Sequence, residues 1–156
     1  MSQESSPSLA LLLKEASIQV AFEASDMEDA IGQLATQLFE AHAPSSSAAD
    51  FLRSAIKRER LFPTCLGEGI ATPHGELEGG GRPVAALGVQ GRGLPILGPD
   101  GKPVELVVLL GVPSDQREFH VRVLAAIAGG LGQDASLRAE LGRCADAAAV
   151  LRTLAG

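Results

Sequence analysis

The sequence predicts an α/β domain, a single mixed β-sheet flanked by helices on both faces, and three observations carry that reading. Two apolar runs, Val84–Val89 and Leu106–Leu110, read as buried strands. Apolar residues recur at helical spacing after Asp26, after Phe51 and after Phe119. Strands and helices therefore interleave along the chain, the pattern of helices packed against both faces of a sheet, although the strand order is not legible. At 156 residues the chain fits one domain, 1–156 with 1–8 as a flexible start, able to bury roughly 70% of the surface its unfolded form exposes.

Met1–Ser8 is polar and Ser-rich, and Leu9–Lys14 follows as a short helix or turn. Alternation in SIQVAF, Ser17–Phe22, predicts a strand with Ile18 and Val20 on its apolar face. Ser25 is placed to cap the next helix, in which Ala30, Ile31, Leu34, Leu38 and Phe39 follow the acidic first turn Asp26, Glu28, Asp29. APSSS, Ala43–Ser47, ends it. A second helix sets Phe51, Leu52, Ala55 and Ile56 on one face and Lys57, Arg58 and Arg60 in its last turn, where positive charge suits the helix dipole.

Pro63–Gly81 is too Gly-rich and irregular for one element, with short extended pieces expected near Thr64–Leu66 and ahead of Pro73. After the strand at Val84–Val89, the turn GPDGK at Gly98–Lys102 leads to ELVVLLGV, the clearest strand of the chain. Ser114 is placed to cap a helix marked by Phe119, Val123, Leu124, Ile127, Ala128 and Leu131. Asp134–Leu141 and Asp146–Leu154 read as two shorter helices, each opening on an aspartate.

Composition narrows the function. A formal net charge of −6, no tryptophan, no tyrosine and five phenylalanines argue against a nucleic-acid surface, which needs a basic stripe and stacking aromatics. Proteins, or small anions at a local basic site, are the better partners. The apolar run Leu9–Leu13 is too short to span a membrane and has no basic leader, so no membrane insertion and a cytoplasmic location are expected. Cys65 and Cys144 lie far apart, which speaks against a disulfide framework and for a reducing compartment.

The chemistry concentrates in GEGIATPHGELEGGG, Gly67–Gly81. The segment lacks the third glycine of a dinucleotide fingerprint, and no Gly-Lys-Ser/Thr occurs anywhere. His42, His74, His120, Cys65 and Cys144 show none of the close pairings of zinc sites, so no metal and no cofactor are expected. A thiol hydrolase built on Cys65 and His74 would need a third group and an oxyanion hole that nothing specifies, which leaves Cys65 as a small apolar filler. His42, in EAHAP, is an ordinary helix end.

His74 remains as a candidate phosphoryl carrier. Pro73 fixes its own φ and biases Thr72 toward extended angles, while Gly75 is free to turn, so the loop presents the imidazole rather than burying it. One ring nitrogen can donate to a backbone carbonyl and leave the other as nucleophile. On these residues alone, a surface histidine in a glycine-rich turn fits equally well.

Arg58-Glu59 followed by LGEGIATPHG, Leu66–Gly75, resembles the signature of phosphotransferase-system EIIA domains of the fructose/mannitol type (type 2), including the nitrogen-regulatory branch. The resemblance continues through VELVVLLGVPSDQREFHVRVLAAIAGGL, Val104–Leu131, and ASLRAELGRCADAAAVLRTL, and so covers nearly the whole chain. It implies that His74 accepts a phosphoryl group from a phosphohistidine carrier protein (HPr-like) and passes it to an EIIB domain or uses it toward a regulatory target protein. Arg58, sixteen residues before His74, matches the arginine lining the family's site, and His120 matches its second histidine. The residue chemistry agrees, since a guanidinium offers a planar fork of donors to phosphate oxygens and phosphoryl transfer depends on positioning and charge stabilisation. Without the resemblance, Arg58 reads as a solvated helix end and His120 as a polar residue of a first helical turn.

Thr72 and Glu68 flank the site as further hydrogen-bonding candidates. Glu76 makes the local field more acidic than in relatives, and Gly79–Gly81 loosens the following loop. The expected function is a cytoplasmic phosphoryl carrier of the EIIA type, a phosphotransferase; the alternative is a regulatory module that docks to its targets with phosphorylation as a switch or no longer needed. The 156 residues hold no EIIB, EIIC or carrier segment, which leans the expectation toward regulation over sugar uptake.

Overall fold

The computed structural model describes residues 8–79 and 81–156; the expectation of a flexible start therefore lies, for residues 1–7, outside the described residues. A short helix α1 (Leu9–Leu12) and a 3₁₀ turn (Glu15–Ser17) lead into β1 (Ile18–Val20). Two helices follow, α2 (Met27–His42) and α3 (Ala48–Leu61), then the short strands β2 (Cys65–Gly67), β3 (Ile70–Ala71) and β4 (His74–Leu77). The long strands β5 (Val84–Val89) and β6 (Leu106–Pro113) precede α4 (Arg117–Gly129), α5 (Ala135–Gly142) and α6 (Ala147–Ala155).

All six strands join one mixed sheet in the order β1-β5-β6-β3-β2, with β4 also on β6. The expected strand at Ser17–Phe22 is shorter than its alternation, because the buried Ser17 belongs to the preceding turn and Ala21 takes φ 52°. Strand β6 is central. One of its edges runs antiparallel to β5, from Val89 opposite Leu106 to Val84 opposite Gly111. Its other edge is shared in succession by β3, with Ile70 opposite Leu106, and β4, with His74 opposite Leu110, both parallel to it.

The period-2 alternation of β6 sorts its side chains into two cores. Val107 and Leu109 pack beneath α2 and α3 with Phe22, Leu34, Leu38 and Phe51. Leu106, Val108 and Leu110 pack on the opposite face with Val123 and Ile127 of α4 and Val150 of α6. Both faces of the sheet are thus covered, as the interleaved elements predict.

Two expected caps are corrected. The N-cap of α2 is Asp26, whose carboxylate accepts from the Asp29 amide at 2.8 Å, while Ser25 donates its own amide to Asp29 at 2.8 Å. A carboxylate is the stronger acceptor at a helix start, so the adjacent aspartate displaces the serine. Helix α4 begins three residues beyond Ser114, after Gln116, without a side-chain cap bond. Asp134 and Asp146 do cap α5 and α6, accepting from the amides of Leu137 and Ala149 at 2.9 and 2.8 Å.

Candidate active site

Strand β4 opens on His74, which corrects the expectation of a histidine on a free loop. Its backbone is registered against β6: the Leu110 amide donates to the Pro73 carbonyl at 2.9 Å, immediately before the residue. Proline lacks an amide hydrogen, so the edge is interrupted at Thr72–Pro73 and resumes at His74. The bend before it, Gly67-Glu68-Gly69, turns β2 into β3 through three consecutive positive φ values of 88°, 55° and 78°. The Glu68 amide is held there by the Asp100 carboxylate at 2.8 Å.

Gly75 serves packing rather than rotation. A Cβ at this position would lie 2.7 Å from the Phe51 ring and 3.0 Å from the Phe51 carbonyl oxygen, and its φ is not positive. The surface that approaches His74 through this gap is helix α3 of the same chain. The Ser54 hydroxyl locks the contact by donating to the Phe51 carbonyl at 2.8 Å and accepting from the Glu76 amide at 3.0 Å.

From the other side, β6 runs through Pro113 into α4, whose first turns carry Arg117 and His120 back over β4. A cleft of about 530 Å³ results, lined by Ser54, Arg58, His74, Ser114, Arg117 and His120. Arg58, His74 and His120, named from the sequence as separate candidates, all face it. The rings of His74 and His120 meet edge to face, with centroids 4.1 Å apart.

His74 is half-buried, and its Nδ1 donates to the Thr72 carbonyl at 3.5 Å. A carbonyl can only accept, so the neutral ring carries its proton on Nδ1 and presents Nε2 as the nucleophile. Burial lowers the His74 pKa against the opposing effect of this hydrogen bond, and the Arg58 charge lowers it further. Burial, the neighbouring His74 and Arg58 together push His120 down to about 4. Both imidazoles are therefore neutral at pH 7. Among the described residues, His120 Nε2 is buried with no hydrogen-bond partner. Such an orphan polar atom is costly to leave unpaired and is available to an oxygen entering the cleft.

Arg58 donates one guanidinium N–H to the Phe62 carbonyl at 2.7 Å, capping the end of α3, and lies 5.6 Å from the Phe62 ring centroid. The sequence reading missed Arg117, a second guanidinium on the cleft. Its signal is the i, i+3 spacing to His120 at the start of a helix, which sets both on one side. Of the other candidates, Thr72 contributes through its carbonyl, whereas the Glu68 carboxylate pairs with Lys102 and Arg138 at 3.3 and 3.1 Å. Glu76 does line the cleft. His42 is a structural tie, its Nε2 donating to the Ala85 carbonyl at 3.0 Å, and Cys65 packs against the core beneath α2 and α3 with burial raising its pKa.

Among the described residues no cluster of three His, Cys, Asp or Glu side chains is arranged to hold a metal, and no helix is long and apolar enough to cross a membrane. Residues 11–156 match the family described as phosphoenolpyruvate-dependent sugar phosphotransferase system, EIIA 2. The chain is 38% identical over 109 residues to the 2-O-alpha-mannosyl-D-glycerate-specific EIIABC component of Escherichia coli, covering 69% of this chain and only 16% of that longer protein. The crystal structure of nitrogen regulatory protein IIA-Ntr from Neisseria meningitidis superposes with a TM-score of 0.79 at 29% identity, covering 94% of this chain and 98% of that one. The fold is also shared with E. coli enzyme IIA for mannitol, solved in complex with phosphorylated enzyme IIB, at a TM-score of 0.75 and 23% identity over 92% of this chain and 97% of that one.

Proposed function

Since this chain belongs to the type-2 EIIA family of the phosphoenolpyruvate-dependent sugar phosphotransferase system, in which a phosphoryl-carrier or regulatory role fits, we propose that His74 is its phosphoryl acceptor, Arg58 its phosphate-stabilising residue and His120 a supporting donor. The His74 Nε2 lone pair forms the new N–P bond as the donor's N–P bond breaks, and the donor histidine nitrogen keeps that electron pair. The Nδ1 proton stays on the His74 ring at the Thr72 carbonyl, so the ring carries positive charge beside the new phosphoryl oxygens. Transfer onward reverses these steps.

The observation that supports this reading most is the unpartnered His120 Nε2, buried beside the His74 ring. As a neutral donor it can bind a phosphoryl oxygen without first giving up another hydrogen bond, and Arg58 adds the planar fork of a cation. The donor is a phosphohistidine carrier protein (HPr-like), the acceptor an EIIB domain, and the setting the cytoplasm. Incubation with phosphorylated carrier should put an acid-labile label on His74 alone. Full labelling of His74→Ala would sink the assignment, and His42→Ala should label normally.

The likeness to IIA-Ntr at nearly full coverage favours a second reading, in which the same phosphorylated site governs docking to a regulatory target. The two readings share the chemistry and differ in the partner.

A further inference from the structure

Helix α3 and the strand carrying His74 are tied together by a carboxylate that the chemistry above does not use. Glu59 follows Arg58, yet its side chain turns inward and the residue is only 8% exposed. Both carboxylate oxygens are occupied by one residue: Oε2 accepts from the Thr64 amide at 3.0 Å and Oε1 from the Thr64 hydroxyl at 2.8 Å. The Thr64 carbonyl in turn accepts from the Thr72 amide at 3.1 Å and the Thr72 hydroxyl at 3.4 Å. The Thr72 carbonyl accepts from His74 Nδ1 at 3.5 Å. One run of hydrogen bonds thus leads from imidazole to carboxylate, with every donor on the His74 side of its acceptor.

A carboxylate suits the end of this run best, because its charge strengthens both bonds. Only a carboxylate accepts at both oxygens. An amide in the same place could accept from the Thr64 amide but would have to donate to the Thr64 hydroxyl, turning that hydroxyl's proton away and replacing a charge-assisted bond with a weaker neutral one of reversed direction. Removing a carboxylate from water is itself unfavourable, so its burial here is offset only by full pairing. Pro73 completes the geometry: it biases Thr72 toward extended angles and offers no amide hydrogen of its own.

We propose that Glu59 is a positioning residue for His74, acting through Thr64 and Thr72 to hold the Thr72 carbonyl against Nδ1, so that the proton stays there and Nε2 remains the free nitrogen. The inference rests on His74 as the phosphoryl carrier and explains how a short edge strand keeps that ring in one tautomer.

The test is a titration of the imidazole nitrogens by NMR on the ¹⁵N-labelled full chain, alongside the rate of transfer from phosphorylated carrier. Wild-type His74 is expected to be neutral in the Nδ1–H form. Glu59→Gln should give a mixture of both tautomers and slow transfer about tenfold, by analogy with the lower end of what loss of an outer partner costs a metal-bound histidine. Thr64→Val should move both readouts the same way, and Thr64→Ser should restore them. A wild-type ring protonated on Nε2 overturns the proposal. So does an unchanged tautomer in folded Glu59→Gln, whatever its melting temperature, because Glu59 would then be a structural clamp only; if that variant does not fold, an unchanged tautomer in Thr64→Val decides equally. The tautomer readout needs no phosphoryl donor, so an unlabelled wild-type His74 sinks the carrier reading separately.

Discussion

His74 and His120 share one proton-poor environment: their rings touch edge to face at 4.1 Å, and the shifts of both pKa values are led by burial. Two imidazolium ions at this separation would repel each other and Arg58 alike, so the empty site holds two neutral rings. A phosphoryl group reverses that balance by placing negative charge between them.

The His120 pKa should therefore rise well above about 4 when His74 is phosphorylated, and an NMR titration of both forms checks this. The same shift contributes to the acid sensitivity of the unmodified protein. His120 falls from 6.5 in the unfolded chain to about 4 in the native one, so the unfolded chain takes up its proton first as pH drops. Stability should fall through that window and recover as pH rises, with His74 and His42, both lowered, adding in the same direction. His120→Gln should flatten the dependence of melting temperature on pH; an unaltered slope would contradict the burial of this ring.

Arg58→Lys should slow phosphoryl transfer roughly ten- to a thousandfold, because the ammonium keeps the charge but loses the planar fork. Arg117→Ala should slow it less while weakening its dependence on salt, as expected for a second cation acting through the field of the cleft. Stopped transfer kinetics under several ionic strengths measure both. Wild-type rates in folded Arg58→Lys and His120→Ala would show that the cleft is not the transfer site.

Gly75→Ala should destabilise the fold by about 1–3 kcal/mol, since its methyl meets the Phe51 ring at 2.7 Å and a backbone oxygen at 3.0 Å. Either α3 moves away from β4, taking Ser54 and Arg58 with it, or the strand shifts. Denaturant unfolding gives the stability, and loss of labelling beyond what the unfolded fraction explains would report the displaced cleft.

Phosphorylation at His74, the proposed acceptor, would add about two negative charges beside the exposed Glu76 of an already acidic protein. A partner that offers arginines or a helix N-terminus should prefer the modified form, and one meeting the neutral ring through apolar or acidic groups should avoid it. A regulatory target should discriminate by at least about tenfold, roughly 1.4 kcal/mol, less at high salt. Affinities for both forms, with captured partners from cell extract, test this; equal affinity for every partner would leave relay alone.

The strongly periodic segments were legible in the sequence: α2, α3 and α4 from their apolar faces, β5 and β6 from unbroken apolar runs that two covered sheet faces require. The site was legible only in part. Motif spacing brought Arg58, His74 and His120 into consideration, but the pairing of β4 with β6 was not visible, since register between residues 36 apart leaves no local trace in four residues of HGEL. Gly75 looked like a hinge because glycine's need for space beside Phe51 is a tertiary fact. Arg117 is harder to read, because its spacing to His120 marks a shared helix face but not the cleft beside it.

The divided edge of β6, shared by β3 and then β4, determines what His74 stands on. The Pro73 carbonyl accepts from the Leu110 amide and His74 stands opposite Leu110, so the ring is carried on the sheet rather than on a flap. A phosphoryl group on the proposed acceptor would then sit on a paired strand. On the proposal that His74 is the acceptor, a partner would read a change of charge on a sheet-borne surface, and discrimination would fall to the partner's own complementarity rather than to a change of shape.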